Sequence, residues 1–264
     1  MRRLSQRWIM LVLLLSLALL NSLNLSQPWA FERYVEPRTD YTIVARIPHD
    51  PTAFTQGLLF HDGAFYESTG LYGQSSLRRL DPDTGEILQR VELSPALFGE
   101  GLALVDNRLI QLTWREGLAL VYDRESLQRL GEFYYATEGW GLTFDGERLI
   151  MTDGSALLYF RDPDTFQLLS TLPVTEHGRP VTRLNELEYI NGEVWANVFM
   201  TDDIVRIDPH TGHVVARHNF SDLLSAADRH GHEDVLNGMA YDAEGQRLFI
   251  TGKRYKFIYQ IEFR

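Results

Sequence analysis

The sequence predicts an all-β protein: a five-bladed β-propeller whose ring is closed by the N-terminal strand completing the last blade. Three observations lead there. A strand–turn–strand unit recurs five times, its spacing matches one four-stranded blade, and the two ends of the chain hold complementary leftover strands. The unit reads FTQGLLF (54–60) before AFYESTG, FGEGLAL (98–104) before RLIQLTW, and EGWGLTF (138–144) before RLIMTDG. It continues as LNELEYI (184–190) before EVWANVF and LNGMAYD (236–242) before RLFITGK. The short turns HDG, VDN, FDG, ING and DAEGQ join each pair, as a β-hairpin requires.

The anchor positions Gly57, Gly101, Gly141, Glu186 and Gly238 are spaced by 44, 40, 45 and 52 residues. A propeller blade of four strands takes about 40–45 residues. The longer last interval holds SDLLSAADRHGHED (221–234), read as a short helix or loop insertion. The second half of each repeat also recurs. SSLRRLDPDTGEILQRVEL, LALVYDRESLQRLGEFYY, ALLYFRDPDTFQLLSTLPV and DIVRIDPHTGHVVARHNF each alternate, turn at an Asp-rich site and alternate again. FIYQIEF (257–263) is a third strand with no fourth after it, and YTIVARIP (41–48) is an orphan strand before the first repeat. Pairing the two closes the ring and leaves no open edge between first and last blade.

The chain has 264 residues and is 44% apolar, enough to bury a large core and inconsistent with disorder. It has no cysteine, which excludes disulfides, thiolate catalysis and cysteine-ligated zinc. Residues 1–30 are set apart from the fold, leaving 31–264 as the propeller domain. Three arginines precede an apolar run from Trp8 to Leu20, the pattern of an export signal, without a clean small-x-small cleavage site. A cleaved signal and an uncleaved anchor at residues 8–20 both stand, and either predicts an exported protein, periplasmic or secreted. The whole chain has a formal charge of −11, and residues 31–264 keep 22 Lys and Arg against 36 Asp and Glu. So acidic a surface repels nucleic acid and anionic membrane. A monomer is expected.

One residue before each anchor stand Gln56, Glu100, Trp140, Asn185 and Asn237. Innermost strands line the channel of a propeller, so these positions should ring one end of it, with Glu100 the only carboxylate among them. The second strands add Trp114, Trp195 (early in its strand) and Lys253. Aromatic walls around a few convergent polar groups are the usual pattern of a ligand pocket, although such residues also serve blade packing and channel water.

FTQGL, GEGL, LTW, GWGLT, LNELEY, VWANV, LNGMAYD and TGK, in this order, resemble the glutamine cyclotransferase family, the plant- and bacterial-type glutaminyl-peptide cyclotransferases. The resemblance runs from about Tyr41 to Phe263 and implies a five-bladed propeller. It also implies conversion of an N-terminal glutamine to pyroglutamate with release of ammonia. By resemblance Glu100 transfers the proton, and Phe54, Gln56, Trp114, Trp140, Trp195, Asn185 and Lys253 build the pocket. Phe98, just before GEGL, is expected as an apolar neighbour. The reaction is an intramolecular acyl transfer that needs no cofactor: the protein orients one residue and moves protons. Lys253, Asn185 or an indole N–H is expected to stabilise the oxyanion.

HGHED (230–234) looks like a metal cluster but is read as a solvated loop. Asp153, Glu186 and Glu188 are placed near the ring as candidate ligands of a structural channel cation such as calcium. Two rival functions fit the residues less well. A non-catalytic peptide- or partner-binding propeller has no use for a lone channel acid beside tryptophans. A metal-dependent hydrolase needs several converging carboxylates.

Overall fold

The computed structural model describes residues 41–264; the expected signal or anchor of residues 1–30 lies outside them. The chain enters through β1 (Tyr41–Pro48) and then builds four-stranded antiparallel sheets in order. Blade I is β2 (Thr55–His61), β3 (Ala64–Thr69), β4 (Ser76–Leu80) and β5 (Ile87–Glu92). Blade II is β6 (Gly99–Val105), β7 (Arg108–Thr113), β8 (Leu118–Asp123) and β9 (Arg129–Tyr134). Blade III is β10 (Leu142–Phe144), β11 (Leu149–Met151), β12 (Leu157–Arg161) and β13 (Leu168–Pro173). A small hairpin outside the repeat pattern follows, β14 (Thr175–Glu176) and β15 (Arg179–Pro180). Blade IV is β16 (Leu184–Ile190), β17 (Glu193–Val198), β18 (Asp203–Ile207) and β19 (Val214–Asn219). Blade V is β20 (Leu236–Asp242), β21 (Arg247–Gly252) and β22 (Phe257–Phe263), completed by β1. The closing pair runs antiparallel from Tyr41 opposite Phe263 to Pro48 opposite Phe257.

The innermost strands β2, β6, β10, β16 and β20 contact one another in a ring. Their residues are almost wholly buried, whereas the outer strands β5, β9 and β13 are largely exposed. Five apolar clusters fill the five seams between blades. Leu59, Tyr66, Leu102 and Leu109 pack between blades I and II, for example, and Ile47, Leu58, Phe65 and Phe249 between V and I. Both faces of each blade are therefore buried near the hub, so apolar side chains are needed at successive positions there.

Each outer turn is held by its aspartate. Asp81, Asp123, Asp162 and Asp208 accept hydrogen bonds from the hydroxyls of Thr84, Ser126, Thr165 and Thr211, three residues on. The insertion at 221–234 forms turns and loop, not a helix. Glu233 fastens it by accepting the backbone N–H groups of His230, Gly231 and His232, which turns that carboxylate inward onto its own loop.

Candidate active site

Four of the five innermost strands break register at the residues the repeat singles out. The irregularities lie between Thr55 and Gly57, Gly99 and Leu102, Leu184 and Leu187, and Leu236 and Met239. They contain Gln56, Glu100, Asn185 and Asn237. A bulge frees a side chain from the alternation of its strand and re-aims it. In blade III the corresponding Trp140 stands just before β10, between the backbone bonds joining Trp140 and Gly141 to Thr152. The neighbouring glycines are required by closeness. A Cβ on Gly101 would lie 2.5 Å from the Leu142 nitrogen, and one on Gly141 would lie 2.0 Å from the Asn185 carbonyl oxygen. Glutamate 100 is thus flanked by glycine because adjacent inner strands touch there; Gly101 N–H donates to the Trp140 carbonyl at 2.7 Å.

A cavity of about 450 Å3 opens at this end of the propeller. It brings together Phe54, Gln56, Phe98, Glu100, Trp114, Trp140, Asn185 and Lys253, eight of the nine expected pocket residues, while Asn237, the fifth ring position, is fully buried and bonds Gln56. The ninth, Trp195, does not line it. Trp195 lies within β17, opposite Glu188 of β16, and is buried in the seam between blades IV and V. Its ring stacks on His218 at 5.6 Å and meets Phe263 at 5.9 Å. The wall expected from Trp195 is formed by Phe199, four residues on, whose ring meets Trp140 edge-on at 5.5 Å. The repeat contained the signal: Phe199 follows Glu186 by the same thirteen residues by which Trp114 follows Gly101. Leu71 and Met200 also line the cavity without having been singled out, and so does Asp234, the last residue of the HGHED segment read as a solvated loop.

Glu100 sits at the buried end of this cavity, 5% exposed. Its carboxylate accepts a hydrogen bond from the Gln56 amide at 3.1 Å, and Gln56 in turn accepts one from Asn237 at 3.2 Å. Its main chain is held by Ser68, whose hydroxyl donates to the Glu100 carbonyl and itself accepts from Gln111. Burial pushes the Glu100 carboxyl well above the usual carboxylate range; the Lys253 charge opposes this, and the Glu138 and Glu116 charges add to it.

Lys253 is 3% exposed, its ammonium 4.8 Å from the Phe54 ring centre and 5.0 Å from that of Phe199. Burial lowers its proton affinity, against the charges of Glu100 and Asp234. The side-chain oxygen of Asn185 is buried without a hydrogen-bond partner, an open acceptor in the cavity. Phe98 stands between Phe54 at 6.3 Å and Trp114 at 5.4 Å. The indole N–H groups of Trp114 and Trp140, two of the expected oxyanion donors, instead donate to Glu138.

The carboxylates placed near the ring as candidate cation ligands each accept hydrogen bonds from the protein. Asp153 accepts from Ser155 N–H and the Tyr159 hydroxyl on its own blade. Glu186 spans the channel, accepting from the backbone N–H groups of Leu58 at 3.4 Å and Met239 at 3.0 Å. Glu188 accepts from Tyr241 N–H, and burial pushes its carboxyl up to about 8. Among the described residues no three His, Cys, Asp or Glu side chains form a cluster that could hold a metal ion.

Fold and site together define a class: a five-bladed propeller with one buried acid beneath an aromatic, peptide-sized pocket. The glutamine cyclotransferase family model matches residues 13–263. A glutaminyl-peptide cyclotransferase of Arabidopsis thaliana is 44% identical over 226 residues, 84% of this chain and 71% of the relative. The crystal structure of Myxococcus xanthus glutaminyl cyclase superposes with a TM-score of 0.78 at 38% identity, covering 84% of this chain and 95% of that one. The chain belongs to the glutamine cyclotransferase family.

Proposed function

We propose that this enzyme, a glutaminyl-peptide cyclotransferase, closes the N-terminal glutamine of peptides and proteins into pyroglutamate at the Glu100 cavity. The α-nitrogen attacks the side-chain carboxamide carbon, the new C–N bond completes a five-membered ring, and the carboxamide C–N bond breaks to release ammonia. Both reacting groups belong to one residue, so the pocket has only to hold the bent conformer, and such orientation is worth up to about 7–11 kcal/mol in favourable cases. A free α-amine has a pKa of about 7.7–8.0 and must lose a proton before it attacks. The ammonium form gives up one proton to solvent; when the neutral amine has attacked, Glu100 takes a second proton from the ring nitrogen and delivers it to the departing nitrogen, which leaves as NH3.

The observation that carries this reading is the buried Glu100 carboxyl, hydrogen-bonded through one oxygen to Gln56 and raised in proton affinity by its surroundings. A carboxyl with its proton affinity raised in this way is a stronger base than an ordinary one and can still hand the proton on. Lys253, with its charge held in the cavity, balances the negative oxygen of the tetrahedral stage. The unpartnered Asn185 oxygen receives an N–H of the substrate main chain. Phe54, Phe98, Trp114, Trp140 and Phe199 enclose the methylenes and exclude water. The working form in this reading is a monomer. The arginine-led apolar segment at residues 8–20 supports export to a periplasmic or secreted location, where N-termini of exported proteins would be the substrates.

Mass spectrometry of a short peptide with N-terminal glutamine tests the reading. The wild type should remove the mass of one ammonia, and Glu100→Gln should slow the step by at least about a hundredfold, the lower range of general acid–base contributions. Full activity in the variant would remove Glu100 from its role. No ammonia release by folded wild type across several peptides would favour a binding propeller.

A further inference from the structure

The carboxylate of Glu138 lies at the rim of the cavity, outside the set of groups that the reaction itself needs. One of its oxygens accepts the Trp114 indole N–H at 2.8 Å and the Trp140 indole N–H at 3.0 Å. The other accepts Arg115 Nε at 3.1 Å, and the Arg115 guanidinium lies 3.6 Å from the centre of the Trp114 ring. The two tryptophans come from different blades, Trp114 following β7 and Trp140 preceding β10. A single anionic acceptor therefore ties the walls of two blades together.

We propose that Glu138 is the positioning residue of the pocket: its carboxylate fixes the planes of both indole walls, and Arg115 holds that carboxylate in place. An indole ring on a surface loop can turn about two side-chain bonds. A hydrogen bond to a charged acceptor is stronger than one to a neutral group and selects one orientation of each ring. Partial burial raises the Glu138 carboxyl, but the donors Trp140, Trp114 and Arg115 outweigh it and hold the group below the usual carboxylate range. Glu138 is accordingly ionised at neutral pH.

Two consequences separate this role from mere packing. With both indole N–H groups committed, oxyanion stabilisation falls to Lys253 and the Asn185 amide. The Glu138 charge also acts on Glu100, favouring its protonated form, in company with Glu116 on the β7–β8 loop and against Lys253 on the β21–β22 loop. Gln56 on β2 is the neutral donor facing the same carboxyl, and Tyr135 on the β9–β10 connection and Tyr72 on the β3–β4 loop are the remaining titratable groups whose charge couples to it.

The inference rests on the cavity being the substrate pocket, and the test keeps the two apart. Glu138→Gln retains one acceptor oxygen and loses the charge; Glu138→Ala loses both. Near-UV circular dichroism of the free proteins reports the tryptophan environment with no reference to catalysis. Steady-state kinetics with a short glutamine peptide against pH report the rest. In Glu138→Ala the tryptophan bands should weaken and KM rise about tenfold, as expected for loss of a wall-fixing bond worth about 1.4 kcal/mol. In Glu138→Gln, KM should stay within about threefold of wild type, since one acceptor is kept. The limb of the pH profile belonging to Glu100 should move to lower pH in that variant, because a charge that favoured protonation is gone. Unchanged tryptophan bands in Glu138→Ala, or wild-type KM and pH limbs in both variants, would overturn the proposal. If Glu138→Ala does not fold, the pH limb of Glu138→Gln decides. If the wild type releases no ammonia, the spectra alone decide on positioning, and the catalytic reading fails separately.

Discussion

At the scale of single residues, the site costs the fold stability at Glu100. The carboxyl is nearly fully buried, has one side-chain donor in Gln56 and faces Lys253 without an ion-pair contact. Its proton affinity is higher in the folded than in the unfolded chain, so the folded state binds the extra proton. Stability therefore falls as pH rises from the unfolded glutamate range, about 4.3, through the raised folded value. Glu100→Gln keeps the shape and removes the charge. It should raise Tm at neutral pH while slowing turnover, and its Tm advantage should shrink on acidification toward pH about 4. Thermal unfolding of both proteins at several pH values checks this; an unchanged or lower Tm for the variant at neutral pH would mean that Glu100 is well solvated or paired.

At the scale of elements, the innermost strand of each blade serves the hub with glycine and the pocket with the residue before it. This predicts that Gly141→Ala is damaging at two levels. The added Cβ meets the Asn185 carbonyl at 2.0 Å, a main-chain atom that cannot swing aside. The cost should be about 1–3 kcal/mol, as for overpacked cores, and the displaced Asn185 should raise KM as well. Urea unfolding and kinetics on the same variant check both. Blade count, the bounds of β1 and β22, and the polar ring of the pocket were legible in the sequence because each depends on period and phase, which repeats display, whereas Phe54 and Phe98 came from the family resemblance. Trp195 was misplaced because a tryptophan near the right phase was preferred to Phe199 at the right phase. Its position inside β17 sends its ring to the seam rather than the mouth. Glu138 went unread although it occupies the place in its repeat held by Phe54 and Phe98, three residues before the anchor. A carboxylate there has meaning only once two indoles from different blades are seen to share it. The hairpin β14–β15 breaks the period, and what fixes it, Glu176 bound by Arg217 of β19, is distant in sequence.

For the whole molecule, the last question is what holds a ring of five separate sheets closed. Each seam is an apolar cluster between neighbours, so four seams would survive an opened ring, and closure rests on β1. This strand pairs with β22 along its length and places Ile47, 7% exposed, in the seam between blades V and I. It then runs straight into the pocket. His49, immediately after β1, bonds Glu67 of β3 at 2.9 Å, Glu67 accepts the Thr55 hydroxyl at 2.7 Å, and Phe54 and Gln56 flank Thr55. Closure and the first pocket wall are thus built on adjacent residues, and loosening one should loosen the other. Ile47→Ala, which leaves the β1–β22 hydrogen bonds in place, should cost about 2–5 kcal/mol as a buried large-to-small change. A chain starting at residue 49 should lose more: β22 becomes an open edge, the V–I seam loses its cover, and the protein should aggregate or unfold without a single cooperative transition. A synthetic peptide of residues 41–48 added to that chain should restore part of the transition by filling the vacant edge. Calorimetry of the three samples decides. A truncated chain that unfolds at the wild-type Tm and keeps its activity would show that the propeller holds its ring through the seams alone, and that the closing strand is dispensable to the pocket it leads into.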